Sequence, residues 1–143
     1  MKLTITSLFL AGALIVGALY YTNPKQSELK DNVSNIMAET VTAATFLAKN
    51  IDEERIVIDV RTPEEYATGH MPNSKNINFY SANFMQEINT LDKDKKYSVY
   101  CRSGNRSGQA LALMESLGFE NVIDLDGGIV AWAQIGQELC TNC

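Results

Sequence analysis

The 143-residue sequence predicts an α/β fold, a mainly parallel five-stranded sheet with helices on both faces. Two observations carry that expectation. Short apolar runs alternate with helical patterns from Glu39 onward, and chains that alternate in this way bury their strands as a parallel sheet between helical layers. Apolar residues make up 45% of the chain and charged residues 20%, the proportions of a globular domain able to bury an adequate core.

The elements follow in order. A short strand is expected at Glu39–Val41, then a helix over Ala43–Asn50 and an apolar strand over Arg55–Val60. The next helix, Pro63–Ala67, has a well-specified start: Thr62 is placed to cap it, Pro63 occupies its first turn, and Glu64 and Glu65 lie at the positive end of its dipole. A strand at Lys75–Ile77, a helix over Ser81–Thr90, a strand over Tyr97–Tyr100, a helix over Ser107–Leu117 and a strand at Val122–Asp124 continue the alternation. Gly118 stops the last of these helices. No internal repeat or second domain is apparent. In a parallel sheet, ligands bind beyond the carboxyl ends of the strands, so the loop after Tyr100 is where chemistry is expected.

Ahead of this pattern, Lys2 precedes an uncharged stretch, Leu3 to Tyr21, that is too long and uniform for a core helix. It reads either as a secretory signal peptide, with cleavage after Ala18, or as a retained membrane anchor, which its near-spanning length and the tyrosines at its end suit. Positive charge on the N-terminal side directs export in both readings, so the expected location is the bacterial periplasm, free or held at the inner membrane. No cysteine lies just after the apolar run, so there is no acylation site of the lipoprotein type. The expected divisions are 1–22 leader or anchor, 23–36 polar linker, 37–139 folded domain and 140–143 tail. The net charge of −5 argues against general nucleic-acid binding.

The chemistry concentrates at S-V-Y-C-R-S-G-N-R-S-G, beginning at Ser98, where an apolar strand ends on a cysteine and the chain folds around it. Cys101 is the expected nucleophile. Arg102 and Arg106 bring positive charge, Gly104 permits a tight turn, and a helix N-terminus near Ser107 would aim its free N–H groups into the loop. Each of these influences favours a thiolate. Ser103, Asn105 and Ser107 complete the candidate cradle, with Ser107 read equally as a hydroxyl donor to the site and as the helix N-cap. A buried structural cysteine would need neither two arginines nor two glycines around it.

Three segments together resemble the rhodanese family of sulfurtransferases. These are C-R-S-G-N-R-S, the stretch I-D-V-R-T-P-E-E-Y-A-T-G-H-M-P-N-S-K-N-I from Ile58 to Ile77, and V-I-D-L-D-G-G-I-V-A-W from Val122 to Trp132. They stand in family order over about Ala38 to Gly136. The resemblance implies a rhodanese-like fold and a cysteine that takes a sulfane sulfur from a donor such as thiosulfate, polysulfide or a persulfide. The Cys101 persulfide would then pass that sulfur to a thiophilic acceptor, with Arg102 to Ser107 as the substrate-binding loop. It implies small-molecule donors and thiol acceptors as partners, and no cofactor or metal. Rhodanese-like phosphatases have a loop one residue longer. Here four residues intervene between Cys101 and Arg106, and Ser107 stands where the phosphatase arginine would be.

By the same resemblance, Asp59 supports the loop and Arg61 pairs with nearby acidic groups. His70, the single histidine, is expected to make a turn and fix the preceding helix end rather than act as a base, because sulfur transfer has no demanding proton to move. Gly127 and Gly128 suit a backbone that bends or approaches closely before a helix, and Trp132 is expected in the core. Cys140 and Cys143 end the sequence as C-T-N-C. They read as a local disulfide ahead of a working redox pair, with a metal site least favoured because one histidine does not complete a ligand set. A sharper reading lets the reduced pair take sulfur from Cys101. The enzyme reading stands against two alternatives: a tethered, non-catalytic module for sulfur carriage or partner binding, and a redox protein built on Cys140 and Cys143.

Overall fold

The computed structural model describes residues 37–141 and 143, with Ile36–Cys143 forming one compact unit. The apolar stretch Leu3 to Tyr21 and the linker at 23–36 lie outside the described residues. Among the described residues, no helix is long and apolar enough to cross a membrane.

Among the described residues, five strands and five helices alternate: β1 (Met37–Val41), α1 (Ala43–Asp52), β2 (Ile56–Asp59), α2 (Pro63–Ala67), β3 (Lys75–Asn76), α3 (Phe84–Asn89), β4 (Tyr97–Tyr100), α4 (Asn105–Ser116), β5 (Asn121–Leu125) and α5 (Gly128–Gln134). The sheet order is β1-β5-β4-β2-β3, and every pairing is parallel. Alternate residues of each strand supply opposite faces. Ile58, Tyr97, Val99 and Val122 join Phe84, Ile88, Met114 and Phe119 in one cluster, while Tyr100, Ile123 and Leu125 join Phe46, Ile129 and Trp132 in the other. Each such large side chain contributes about 1.5–3 kcal/mol when fully buried. Both faces of the sheet are therefore covered, as the apolar alternation expects.

Topology places the site. The chain leaves β2 toward β3 on one side and leaves β4 toward β5 on the other, so the crossovers diverge between these neighbouring strands. A crevice opens at such a switch point. Val60 N–H donates to Tyr100 O at 3.0 Å and extends the β2–β4 pairing to the brink of the loop. At the opposite end, the buried Arg55 guanidinium donates to Tyr97 O, Asn121 O and Ser98 Oγ, fastening β4 and β5 together.

The start of α2 matches expectation in its N-cap, where Thr62 Oγ1 accepts from Glu65 N–H, and adds a bond in return: the Glu65 carboxylate accepts from Thr62 N–H, making a reciprocal capping box. The start of α4 differs. Its N-cap is Gly104, with φ at 95°, so the helix begins at Asn105 and not at Ser107. A left-handed glycine three residues before the serine turns the chain and starts the helix two residues early, and Ser107 becomes a first-turn residue whose hydroxyl is free for another partner. The helix expected from Ser81 begins at Phe84, after a turn in which Asn83 N–H donates to Ser81 Oγ.

Gly128 locks α5 onto the loop. Its φ is 59°, and a Cβ there would lie 2.5 Å from both the Arg102 carbonyl carbon and Cys101 O. Gly118, at φ 85°, faces open space. Gly128→Ala is expected to lose about 3 kcal/mol or more in denaturant unfolding, against about 1 kcal/mol for Gly118→Ala, where only backbone strain acts. Equal losses would mean that the close approach does not constrain the fold.

Candidate active site

Cys101 follows β4 directly and is 1% exposed. Its sulfur lies inside the curl of the loop, where Gly104 N–H donates to Sγ at 3.1 Å and Ser107 Oγ donates at 3.5 Å. The Ser107 hydroxyl also reaches Gly104 O at 3.2 Å, so it spans the loop from within. Burial pushes the Cys101 thiol up, but the Ser107 hydroxyl and the N–H groups of Ser107, Ser103 and Gly104 outweigh it and hold the thiol below its ordinary range. The strongest pulls toward thiolate come from hydrogen-bond donors. An anion on or near this sulfur meets the same donors.

The two arginines diverge in role. Arg106 makes two bonds to the Glu65 carboxylate, at 2.6 and 2.8 Å, and stands over the Tyr80 ring at 5.5 Å. The Arg106 guanidinium holds the Glu65 carboxyl down at about 2, so the pair is ionised at neutral pH and its charges cancel. Arg102 is exposed and, among the described residues, makes no side-chain hydrogen bond or ion pair. It is the guanidinium available to an incoming anion. Ser103 and Asn105 are exposed on the loop, with Asn105 Oδ1 accepting from Gln109 on the next turn of α4.

The loop is held from two further sides. Ile129 N–H donates to Cys101 O at 2.8 Å and Val130 N–H to Arg102 O at 3.4 Å, so the first turn of α5 binds the loop backbone. Under β2, the buried Asp59 carboxylate takes Arg61 Nε and Nη2 at 2.6–3.0 Å and Arg61 N–H at 2.8 Å. Arg61 also donates to Gly69 O and stands over the Tyr100 ring at 5.7 Å. Asp59 thus acts through Arg61 and the crevice floor, and its side chain makes no direct bond to the loop. His70 Nδ1 reaches Tyr66 O at 3.0 Å, tying off the end of α2, and Trp132 packs edge-on against Phe46.

Sequence reasoning missed two residues. Glu65 serves both the capping box and Arg106, whereas its position in the sequence marks it only as an acidic residue at the positive end of the helix dipole. Asp124 in β5 is 2% exposed beneath α4, where Gly108 leaves room for it, and its Oδ2 accepts from Thr40. Its Oδ1 has no partner among the described residues, and burial pushes this carboxyl up. An aspartate inside the apolar run V-I-D-L is the only signal. Cys140 and Cys143 form a disulfide. It lies against His70, and among the described residues no hydrogen bond joins the tail to the Cys101 loop.

Alkylation of Cys101 by iodoacetamide is expected to titrate below the ordinary thiol midpoint of about 8.5. Ser107→Ala removes a donor to the thiolate, so its midpoint must rise; an unchanged or lower midpoint would contradict the geometry.

A model of the rhodanese-like domain family matches residues 43–135. The chain is 37% identical over 84 residues to a sulfurtransferase of Allochromatium vinosum, a match covering 59% of this chain and 77% of that protein. It is 37% identical over 81 residues to the thiosulfate sulfurtransferase GlpE of Pseudomonas entomophila, covering 56% of this chain and 72% of that one. The crystal structure of a rhodanese-related protein from Thermoplasma volcanium is similar with a TM-score of 0.64 at 35% identity, covering 73% of this chain and 99% of its own. The matched span runs from α1 to the end of α5 through the whole cysteine loop, and the chain therefore belongs to the rhodanese-like domain family.

Proposed function

We propose that this protein is a sulfurtransferase that carries a sulfane sulfur as a Cys101 persulfide. Sulfurtransferases among its relatives support transfer of sulfur in general. The single observation that carries the finer reading is the sulfur of Cys101 inside a ring of donors, lowered toward thiolate with no base bonded to it among the described residues.

With thiosulfate as donor, the Cys101 thiolate attacks the outer sulfur. A new S–S bond forms, the bond between the two thiosulfate sulfurs breaks, and sulfite leaves with the electron pair. The anionic persulfide stays in the cradle, where the N–H groups of Ser103, Gly104 and Ser107 face it. An acceptor thiolate, or cyanide in an assay, then attacks the outer sulfur and releases the Cys101 thiolate. No proton is moved in either step, in keeping with the absence of a base beside Sγ among the described residues. Arg102 meets the anionic donor at the loop mouth, while Arg106, neutralised by Glu65, braces the loop against α2. The near-complete burial of Cys101 favours slim sulfur compounds over bulky ones. Thiosulfate gains support from the relative named for it; polysulfides and small persulfides satisfy the same chemistry. Export rests on Lys2 and the apolar run Leu3 to Tyr21.

Steady-state turnover with thiosulfate, using cyanide as test acceptor, checks this reading. Cys101→Ser must abolish turnover. Arg102→Ala is expected to raise KM for thiosulfate about tenfold with kcat little changed, the loss of one charge-assisted contact made before the chemical step. Turnover that survives Cys101→Ser, with thiosulfate or polysulfide, would defeat the proposal.

A further inference from the structure

The C-terminal tail is joined to the turn after α2 by an isolated antiparallel bridge. His70 N–H donates to Cys140 O and Cys140 N–H to His70 O, each at 2.9 Å. The bridge gathers three groups of metal-ligand type from distant parts of the sequence. A ring nitrogen of His70, Cys140 Sγ and Cys143 Sγ all lie within 4.8 Å of one another, with Cys143 Sγ 3.9 Å from His70 Nε2. One histidine does not make a four-ligand set with the cysteine pair, as the sequence indicates, but tertiary structure brings that histidine to the pair from the other side of the bridge.

The imidazole is already oriented. A carbonyl only accepts, so the 3.0 Å contact from Nδ1 to Tyr66 O puts the ring proton on Nδ1 and leaves the Nε2 lone pair toward the sulfurs. Metal-bound histidines use this arrangement, in which the remote N–H donates to a backbone carbonyl. The ring is 4% exposed as a residue and stacks on Tyr66 at 3.7 Å with an interplanar angle of 10°. Tyr66 is itself fixed by its hydroxyl, which donates to Ser74 O at 2.6 Å. Closing the end of α2 requires Nδ1 alone and does not explain why Nε2 meets Cys143 Sγ in a cluster that also holds Cys140 Sγ.

We propose that, once the Cys140–Cys143 disulfide is reduced, His70 Nε2 and the two thiolates bind one thiophilic closed-shell cation, zinc(II) or copper(I). A dithiol reductant supplies two electrons and two protons: the S–S bond breaks, two thiols form, and the reductant becomes a disulfide. Cation binding then forms two metal–sulfur bonds and releases the two thiol protons to solvent, while Nε2 contributes its lone pair without losing a proton. Bonds of about 2.3 Å to sulfur and about 2.0 Å to nitrogen set neighbouring ligand atoms roughly 3.5–3.8 Å apart. The Cys143–His70 separation is already close to that, so the main movement is parting of the sulfurs. Two sulfurs and one nitrogen complete a three-coordinate copper(I) site, or leave one position of a zinc(II) tetrahedron for water or a thiolate. Reoxidation by a disulfide, which takes up two electrons and two protons and leaves as a dithiol, closes the Cys140–Cys143 bond and releases the cation, so cation binding reports the redox state of the tail. The site is independent of Cys101.

The test uses the full chain in mild detergent, reduced with a phosphine and titrated anaerobically. Cobalt(II) reports thiolate ligation by its charge-transfer absorption, and zinc(II) and copper(I) are titrated against chromophoric chelators. One cation per reduced chain is expected, with none bound by the oxidised chain. The Cys140→Ser/Cys143→Ser double variant should lose binding, His70→Asn should weaken it at least about tenfold, and Cys101→Ser should leave it intact. Whichever of zinc(II) and copper(I) binds more tightly names the cation. A readout on the unaltered chain accompanies the variants: the cation should protect Cys140 and Cys143, and not Cys101, from alkylation mapped by mass. The proposal is overturned by absence of stoichiometric binding in the reduced chain, by binding that survives loss of both tail cysteines, or by an affinity indifferent to His70.

Discussion

The bond from Ile129 N–H to Cys101 O, 2.8 Å long, is the constraint on which the reactive loop depends. It fastens the backbone immediately after the central strand to the first turn of α5, and it forms only because Gly128 has no side chain. With the outer rim of the loop seated against α5, the inner side curls over the sulfur through the left-handed Gly104 and delivers N–H groups to it. Geometry of the main chain therefore precedes the chemistry of the side chain. The Asp59–Arg61 pair and the Arg106–Glu65 pair brace the crevice from β2 and α2.

Electrostatics at Cys101 is a contest between burial and donors. Removing a thiolate from water raises its energy, and only fixed dipoles at hydrogen-bond range can reverse that. The Ser107 hydroxyl and the backbone N–H groups of Ser107, Ser103 and Gly104 provide them, and under the proposed function the same donors would hold the anion before and after it gains a sulfur. Charge at the mouth is separate from charge at the sulfur. Arg106 is neutralised by Glu65 while the Arg102 side chain has no polar partner among the described residues, so under the proposed function substrate capture and persulfide stabilisation would fall to different groups.

Much of this was legible in the sequence. The alternation of elements, the capped start of α2, the full span of β4 and the cysteine loop all carry local signals: apolar runs, a capping residue, a glycine-bearing turn. The ends of α3 and α4 did not, because the serines favoured as helix starts compete with turns and with a left-handed glycine whose outcome tertiary packing decides. The long-range pairs were hidden for the same reason. Nothing near Glu65 announces Arg106, nothing near His70 announces Cys140 and Cys143, and the buried Asp124 shows only as a carboxylate in an apolar strand. Residues that meet through the sheet topology leave no spacing to read.

The central claim is that Cys101 itself carries the transferred sulfur. Intact-mass measurement of the chain after exposure to thiosulfate, and separately to polysulfide, tests it most directly, with Cys101→Ser alongside. Gain of one sulfur atom by the unaltered chain, removed by cyanide and missing from Cys101→Ser, is the predicted result. No adduct from either donor, or an adduct that persists without Cys101, would contradict the account.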